Sequence, residues 1–289
     1  MVQQSAQQVK KILWQILLAN LLVAIAKIII GTAIQSASMT ADGYHSLTDG
    51  ASNVVGLVGI SLAAKPVDAA HPYGHGKYEF LTSLFIGVML LVIAAKIGLE
   101  AFQRISDPVP PQFGAEALIT LVVTLIINVI VSEYENRQGK RLNSYILISD
   151  SLHTRSDIYV SLGVLLTLIG IKFGAPPVID PLASIIVGIF IVRAGIEIIK
   201  STSEILVDTA AADHEAIKAI ALRFDHVIDV HDIRSRGNAT NMFIDMHITV
   251  DPAMSIEDSH MLVHDIEDRL RLEINSQLEV IIHTEPAKE

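Results

Sequence analysis

The chain contains no cysteine. That absence removes disulfide scaffolds and every thiolate metal site, so any metal must be held by nitrogen and oxygen donors. Charged residues are scarce at 18%, and aromatic residues scarcer at 5%, with a single tryptophan. No HExxH pattern, nucleophile elbow or phosphate loop occurs, so the sequence lacks the usual marks of a metallohydrolase, serine hydrolase or nucleotide-binding enzyme, and an enzyme is not expected. Net charge is −10, and a negative chain repels phosphate, so nucleic acid is not an expected partner.

What is present is aliphatic. Of the 289 residues 51% are hydrophobic, with a mean hydropathy of +0.48. Apolar segments fall at roughly 12–33, 38–64, 80–102, 116–132, 144–172 and 178–199. About 20 helical residues cross the hydrocarbon core of a bilayer, so these read as six transmembrane helices with lipid as their surroundings. Proline and glycine in DPVPPQFG (107–114) and FGAPP (173–177) break the pattern, since proline lacks an amide proton and clashes with the preceding turn. The start, MVQQSAQQVKKILWQ, places two lysines before an apolar run as a signal peptide would. That run is too long for one and no small-residue cleavage site follows, so a retained first helix is expected. Lys10, Lys11, Lys65, Lys77, Arg137, Lys140, Arg141 and Lys200 gather on one side of the six spans. The positive-inside rule makes that side cytoplasmic, with both termini, in a multi-pass protein of the inner or plasma membrane.

Charge divides the chain in two. Residues 1–205 carry 14 acidic and 14 basic side chains, whereas residues 206–289 carry 17 and 7, together with seven of the eleven histidines. The expected domains are therefore a membrane part, 1–205, and an acidic cytoplasmic part, 206–289. In the second part, residues 213–224 read as an amphipathic helix, VIDVHDIRSRG and TNMFIDMHITVD as strands, and LEVIIHTEP as a third strand. SIEDSHMLVHDIEDRLRLEI reads as a second helix, with Ser255 as N-cap and Asp258 completing a capping box. The order α-β-β-α-β suits a small ferredoxin- or metallochaperone-like α/β domain with its helices on one face of the sheet.

Two apolar segments carry one polar pattern. ADGYHSLTDG (41–50) and SDSLHTRSDIYV (149–160) both contain Asp, two residues, His, three residues, Asp. In helices, Asp42, His45 and Asp49 would share one face, and so would Asp150, His153 and Asp157. Such groups inside a membrane are costly and usually mark an ion path. His45, Asp49, His153 and Asp157 supply two nitrogen and two oxygen donors, a set suited to tetrahedral Zn²⁺. One such pair alone reads equally as a buried ion pair or a cap, but two matching pairs in separate spans favour a metal site. Asp42 and Asp150, a turn nearer the helix N-termini, are read as capping or histidine-orienting groups.

These residues resemble the cation diffusion facilitator family, which exports divalent metals in exchange for protons. The likeness covers nearly the whole chain. It implies that His45, Asp49, His153 and Asp157 are the transport site and that the protein is a homodimer joined through its cytoplasmic domain. His plus Asp on both helices is similar to the zinc-transporting branch, and Mn²⁺, Fe²⁺, Co²⁺ and Cd²⁺ stay open as cargo. Asp68, His71 and His75, in KPVDAAHPYGHGKYE, match a loop metal site of some members; read alone, the loop histidines serve equally to cap the third helix. The H-x-E-P ending resembles the family's regulatory binuclear site, with His231, His247, His260, His283 and Glu285 as implied ligands. Glu285 replaces an Asp found in some relatives. A membrane metal sensor that moves no ion is the rival from another class, although no effector motif is visible in the tail.

Overall fold

The computed structural model describes residues 2–33, 50, 52–106, 115–174, 176, 178–239 and 241–287. Asp42, His45 and Asp49 lie outside the described residues, as does the 107–114 break. The chain divides into two compact units, Met1–Ser203 and Glu204–Glu289.

The first unit is helical: α1 (Val2–Ala33), α2 (Ser52–Ala63), α3 (Lys77–Ser106), α4 (Ala115–Leu142), α5 (Tyr145–Lys172) and α6 (Ile179–Leu206). Among the described residues, α1, α3, α4 and α6 are apolar and long enough to cross a membrane. α5 has 28 residues, about 42 Å at 1.5 Å per residue, but Asp150, Arg155 and Asp157 interrupt its apolar character. α4 outruns the expected 116–132 by a further ten residues, to Leu142. The charges of SEYENRQGKR mark where apolar composition ends, not where the helix ends. That stretch holds good helix formers and no proline, and Glu133 pairs with Arg137 one turn on at 2.6 Å.

α4 and α5 form a hairpin closed by two residues, Asn143 and Ser144. Asn143 takes the left-handed conformation (φ 49°) that asparagine tolerates at a helix end, and the Ser144 amide donates to the Gly139 carbonyl at 2.9 Å. Gly139 lets the helices approach closely here: a Cβ would stand 3.0 Å from the Ile148 backbone nitrogen, which would have to give by a few tenths of an ångström. Glu79 of α3 caps α5, accepting from Ser144 Oγ at 2.7 Å and from the Ile146 amide at 3.4 Å. A carboxylate at that end meets unsatisfied amides and the positive end of the helix dipole. Farther along the bundle, Leu90 and Ala94 of α3 pack with Val187, Ile191 and Ile198 of α6. Two glycines let these backbones approach, since a Cβ on Gly195 would sit 3.1 Å from the Gly87 carbonyl oxygen and 2.9 Å from Leu91. Small residues at helix contacts are the usual device where burial of apolar surface drives little association.

The second unit follows the expected order: α7 (His214–Ala221), β1 (Asp229–Asn238), β2 (Asn241–Val250), α8 (Ile256–Glu273) and β3 (Leu278–Pro286). Asp213 caps α7. Ser255 caps α8, accepting from the Asp258 amide and donating to the Asp258 carboxylate at 2.6 Å. The sheet order is β1-β2-β3, antiparallel then parallel, and a parallel return needs a crossover, which α8 provides. On β2, Met242, Ile244, Met246, Ile248 and Val250 point into a core with Ile217 and Ile220 of α7 and Leu262, Ile266 and Leu270 of α8. Both helices therefore cover one face, and the alternate residues of the strands stand on the other. A β-bulge between His231 and Arg234, with Asp232 at φ 49°, resets the facing of β1 in mid-strand.

Replacing Gly195 by Leu should force α3 and α6 apart and cost about 1–3 kcal/mol as an overpacked contact. Gly98, where an added Cβ meets nothing within 4 Å, is the control. Thermal melting in detergent should show a lowered transition for Gly195→Leu and little change for Gly98→Leu; equal transitions would contradict this packing.

Candidate metal centres

Three groups of polar side chains stand where the sequence places candidate ligands. In the membrane unit, Asp150, His153 and Asp157 lie on one face of α5. His153 is buried, and among the described residues neither of its ring nitrogens has a hydrogen-bond partner. Asp150 is also buried: Oδ2 accepts from Asn53 Nδ2 of α2, and Ser52 and Glu135 are also hydrogen-bonded to its carboxyl. Asn53, four residues beyond Asp49 in the sequence, accepts in turn from Asn20 Nδ2 of α1 at 3.0 Å. Across the hairpin, Ser132 Oγ donates to the Ser151 carbonyl at 3.0 Å and Thr154 Oγ1 donates to Glu135 Oε2 at 3.0 Å. The sequence did not single out Glu135, Asn20 or Asn53. Glu135 sits in a charged stretch that reads as a loop, and the signal for it was its spacing of three from Ser132, which puts both on the α5-facing side of a longer α4.

In the loop before α3, the ligand atoms of Asp68, His71 and His75 lie within 4.8 Å of one another. Asp68 Oδ1 accepts from the amides of Ala70 (2.9 Å) and His71 (2.7 Å), an Asx turn that fixes the carboxylate. His71 Nδ1 stands 3.0 Å from Asp68 Oδ1. That bond, foremost, holds the Asp68 carboxyl below the usual carboxylate range. His75 is buried and donates from Nδ1 to the Pro66 carbonyl at 3.1 Å, which leaves Nε2 as the lone-pair nitrogen, 3.5 Å from Asp68 Oδ2. A carboxylate and an imidazole lone pair facing each other are what a cation would join.

In the second unit, the three strands set three histidines side by side. His231 pairs with His247 across β1 and β2, and His247 with His283 across β2 and β3. The ring centroids are 5.5 and 4.8 Å apart. Glu285, two residues past His283 on the same face, reaches back over the row: Oε1 is 3.0 Å from His247 Nδ1 and Oε2 is 3.4 Å from His231 Nε2. His283 Nε2 is 3.8 Å from Glu285 Oε1. His231, His247 and Glu285 place their ligand atoms within 4.8 Å of one another. The hydrogen bond from His247 is the main cause holding the Glu285 carboxyl below its usual range. Any stability this carboxylate lends is therefore complete above the ordinary glutamate value and is lost only as pH falls through the lowered one. Asp229, beside His231, is held low chiefly by Lys218, 3.3 Å away.

His260 does not join that row within one chain. It belongs to α8, which covers the opposite face of the sheet, and its Nε2 lies 3.2 Å from Nε2 of His264. Alternation along the strands gathers His231, His247, His283 and Glu285, and the same alternation assigns α8 to the other side.

Comparison with known proteins agrees with both units. The profile of the cation efflux transmembrane domain matches residues 13–207, and that of the cation efflux protein cytoplasmic domain matches residues 210–287. An uncharacterized transporter, MJ0449, of Methanocaldococcus jannaschii is 33% identical over 270 residues, 91% of this chain and 94% of that one. The manganese efflux system protein MneP of Bacillus subtilis is 28% identical over 99% of both chains. Metal tolerance protein C1 of Arabidopsis thaliana is 30% identical over 99% of this chain and 64% of its own length. The chain belongs to the cation diffusion facilitator family: it is a multi-pass membrane transporter for the efflux of divalent metal cations, not an enzyme, and it ends in a cytoplasmic domain of the family's dimerisation type.

Proposed function

We propose that the protein binds a cytoplasmic divalent cation at His45, Asp49, His153 and Asp157 and releases it outside as protons take its place. The observation that carries this reading is the buried His153, both nitrogens without a partner among the described residues, on the same helix face as Asp157. An imidazole must be neutral and a carboxylate ionised to hold metal, so protons arriving from outside compete directly for the ligands. An inward proton gradient then drives metal outward as the helices alternate between facing the two sides. Both termini lie on the cytoplasmic side in this reading, and two chains associate through their cytoplasmic domains.

Two nitrogen and two oxygen donors suit Zn²⁺. A second reading, Mn²⁺, is favoured by the likeness to MneP and to MneS, the latter 27% identical over 88% of this chain, both manganese efflux system proteins of Bacillus subtilis. The Asp68–His71–His75 loop and the histidine row of the cytoplasmic domain are proposed as further cation sites, the first for delivery and the second for sensing. Metal bound among His231, His247, His283 and Glu285 would screen the acidic domain's self-repulsion and draw two copies together.

Proteoliposomes with an imposed pH gradient test the transport reading. Wild type should accumulate Zn²⁺ or Mn²⁺ only while the gradient lasts, and Asp157→Ala and Asp49→Ala should each abolish gradient-driven flux. Flux that persists in either variant would move the transport site elsewhere. In the cytoplasmic domain, protons compete for imidazole nitrogen while Glu285, held low, stays ionised. Metal affinity of the full-length protein should therefore fall as pH is lowered from about 7.5 to about 5.5. The part of that fall due to the row should be missing from His231→Ala/His283→Ala, leaving the smaller dependence of the other proposed histidine sites, and calorimetry in buffers of different ionisation enthalpy reads the protons released.

A further inference from the structure

The outer face of the α4–α5 hairpin carries charges that none of the candidate metal centres uses. On α4, Ile126, Ile130, Glu133, Arg137 and Lys140 recur at alternating spacings of four and three, so they form one stripe. All five are exposed. On α5, Arg155, Tyr159, Leu162 and Leu166 recur in the same way, with Arg155 partly exposed and the other three exposed. Both stripes are charged near the hairpin turn and apolar away from it. Glu133 ties them at one level: its Oε1 accepts from Arg137 Nε at 2.6 Å, and its Oε2 is 4.0 Å from Arg155 Nη2. Arg137 meets this carboxylate through Nε alone, which leaves both its Nη groups open among the described residues. Arg137, Arg155 and Lys140 thus surround a single carboxylate. Eleven residues separate Arg137 from Ile126, and Arg155 from Leu166. That is about 16 Å of helix, close to the roughly 15 Å of one hydrocarbon leaflet. Tyr134, exposed beside Glu133, and Tyr159, one turn below Arg155, stand where aromatic side chains mark the edge of a bilayer.

From this geometry we propose that the outer face of the hairpin binds an anionic phospholipid, with the phosphate between Arg137 and Arg155 and the acyl chains along the two apolar stripes. Guanidinium N–H groups donate in pairs to phosphate oxygens, and basic side chains at the membrane surface attract lipids of net negative charge. A zwitterionic headgroup would bring its own cation to a place that already holds a surplus. A free phosphate would use the same donors but would leave the apolar stripes uncovered; a lipid satisfies both. Glu133 has two effects here. It holds the guanidinium groups at one level, and its charge opposes that of the phosphate. Arg155 lies two residues from both His153 and Asp157, about 200° around the helix, so the lipid face is turned away from the face that bears those ligands. The proposal therefore stands whether or not they carry the transported ion.

The test gives the full-length protein in detergent an equimolar mixture of phosphatidylglycerol and phosphatidylcholine, and native mass spectrometry reads the ratio of the two lipids retained. Each basic side chain near an anionic headgroup strengthens binding about fivefold. Wild type should retain phosphatidylglycerol in preference, and Arg137→Gln/Arg155→Gln should lower the ratio about tenfold or more. Lys10→Gln/Lys11→Gln, which removes the same charge from α1, should leave it unchanged. Equal retention of the two lipids by wild type would overturn the proposal. Equal loss in the two double variants would overturn it too, since any surface cation would then serve. Inorganic phosphate at millimolar concentration should not displace the phosphatidylglycerol; displacement would make this a small-anion site and not a lipid site. Glu133→Gln removes the carboxylate that opposes phosphate and has to raise the ratio, which keeps the proposal open to refutation should the arginine variant fail to fold. A ratio that stays level or falls in Glu133→Gln would count against it.

Discussion

An ionised or lone-pair-bearing group taken out of water must be met by a donor or by a cation, and the arrangement of the membrane unit depends on how each such group is met. Glu79 is answered by the open amide end of α5. Asp150 is answered by Asn53 and Ser52 of α2 and by Glu135, Glu135 by Thr154 within the hairpin, and His153 by none among the described residues. The polar groups therefore pin α1, α2, α4 and α5 together and leave the His153 ring nitrogens without a partner among the described residues. A bundle optimised only for stability would have paired that ring or replaced it with leucine. In the transport reading proposed above, its nitrogens are left for the cargo.

The water-exposed clusters meet the same demand more gently. At Asp68 and at Glu285 a neighbouring histidine stabilises the ionised carboxylate, so the oxygen ligand is charged and oriented before a cation arrives. Solvent reaches both groups, and ions bound there exchange with the cytoplasm more readily than an ion enclosed between helices. If cations bind there as proposed, such exposed sites suit capture and sensing better than storage.

Much of this could be read from the sequence. Alternating apolar residues gave β2 and the inward face of β3, the Ser255 capping box marked the start of α8, and the repeated Asp–His–Asp spacing put three polar groups on one face of α5. What could not be read depends on distance in space. The end of α4 is not legible in composition, which reports the edge of the apolar region, whereas helix continuity follows from propensity and capping; Glu135 lies in the stretch between the two. Asn20 and Asn53 are single amides in apolar runs, and only the packing of α1 against α2 and of α2 against α5 makes them a chain. His260 belongs to the expected set only through the family resemblance, and a sequence pattern shows that α8 is amphipathic but not which face of the sheet it covers.

The parallel pairing of β2 with β3 has a kinetic meaning. His231 and His247 come from adjacent strands of a hairpin and can meet early, while the His247–Glu285 contact spans 38 residues of chain and waits for α8 to dock. Loop closure over such a separation is slow relative to hairpin formation. The histidine row is thus completed in the last stage of folding of its domain, and a cation bound there would slow unfolding by holding the latest strand to arrive.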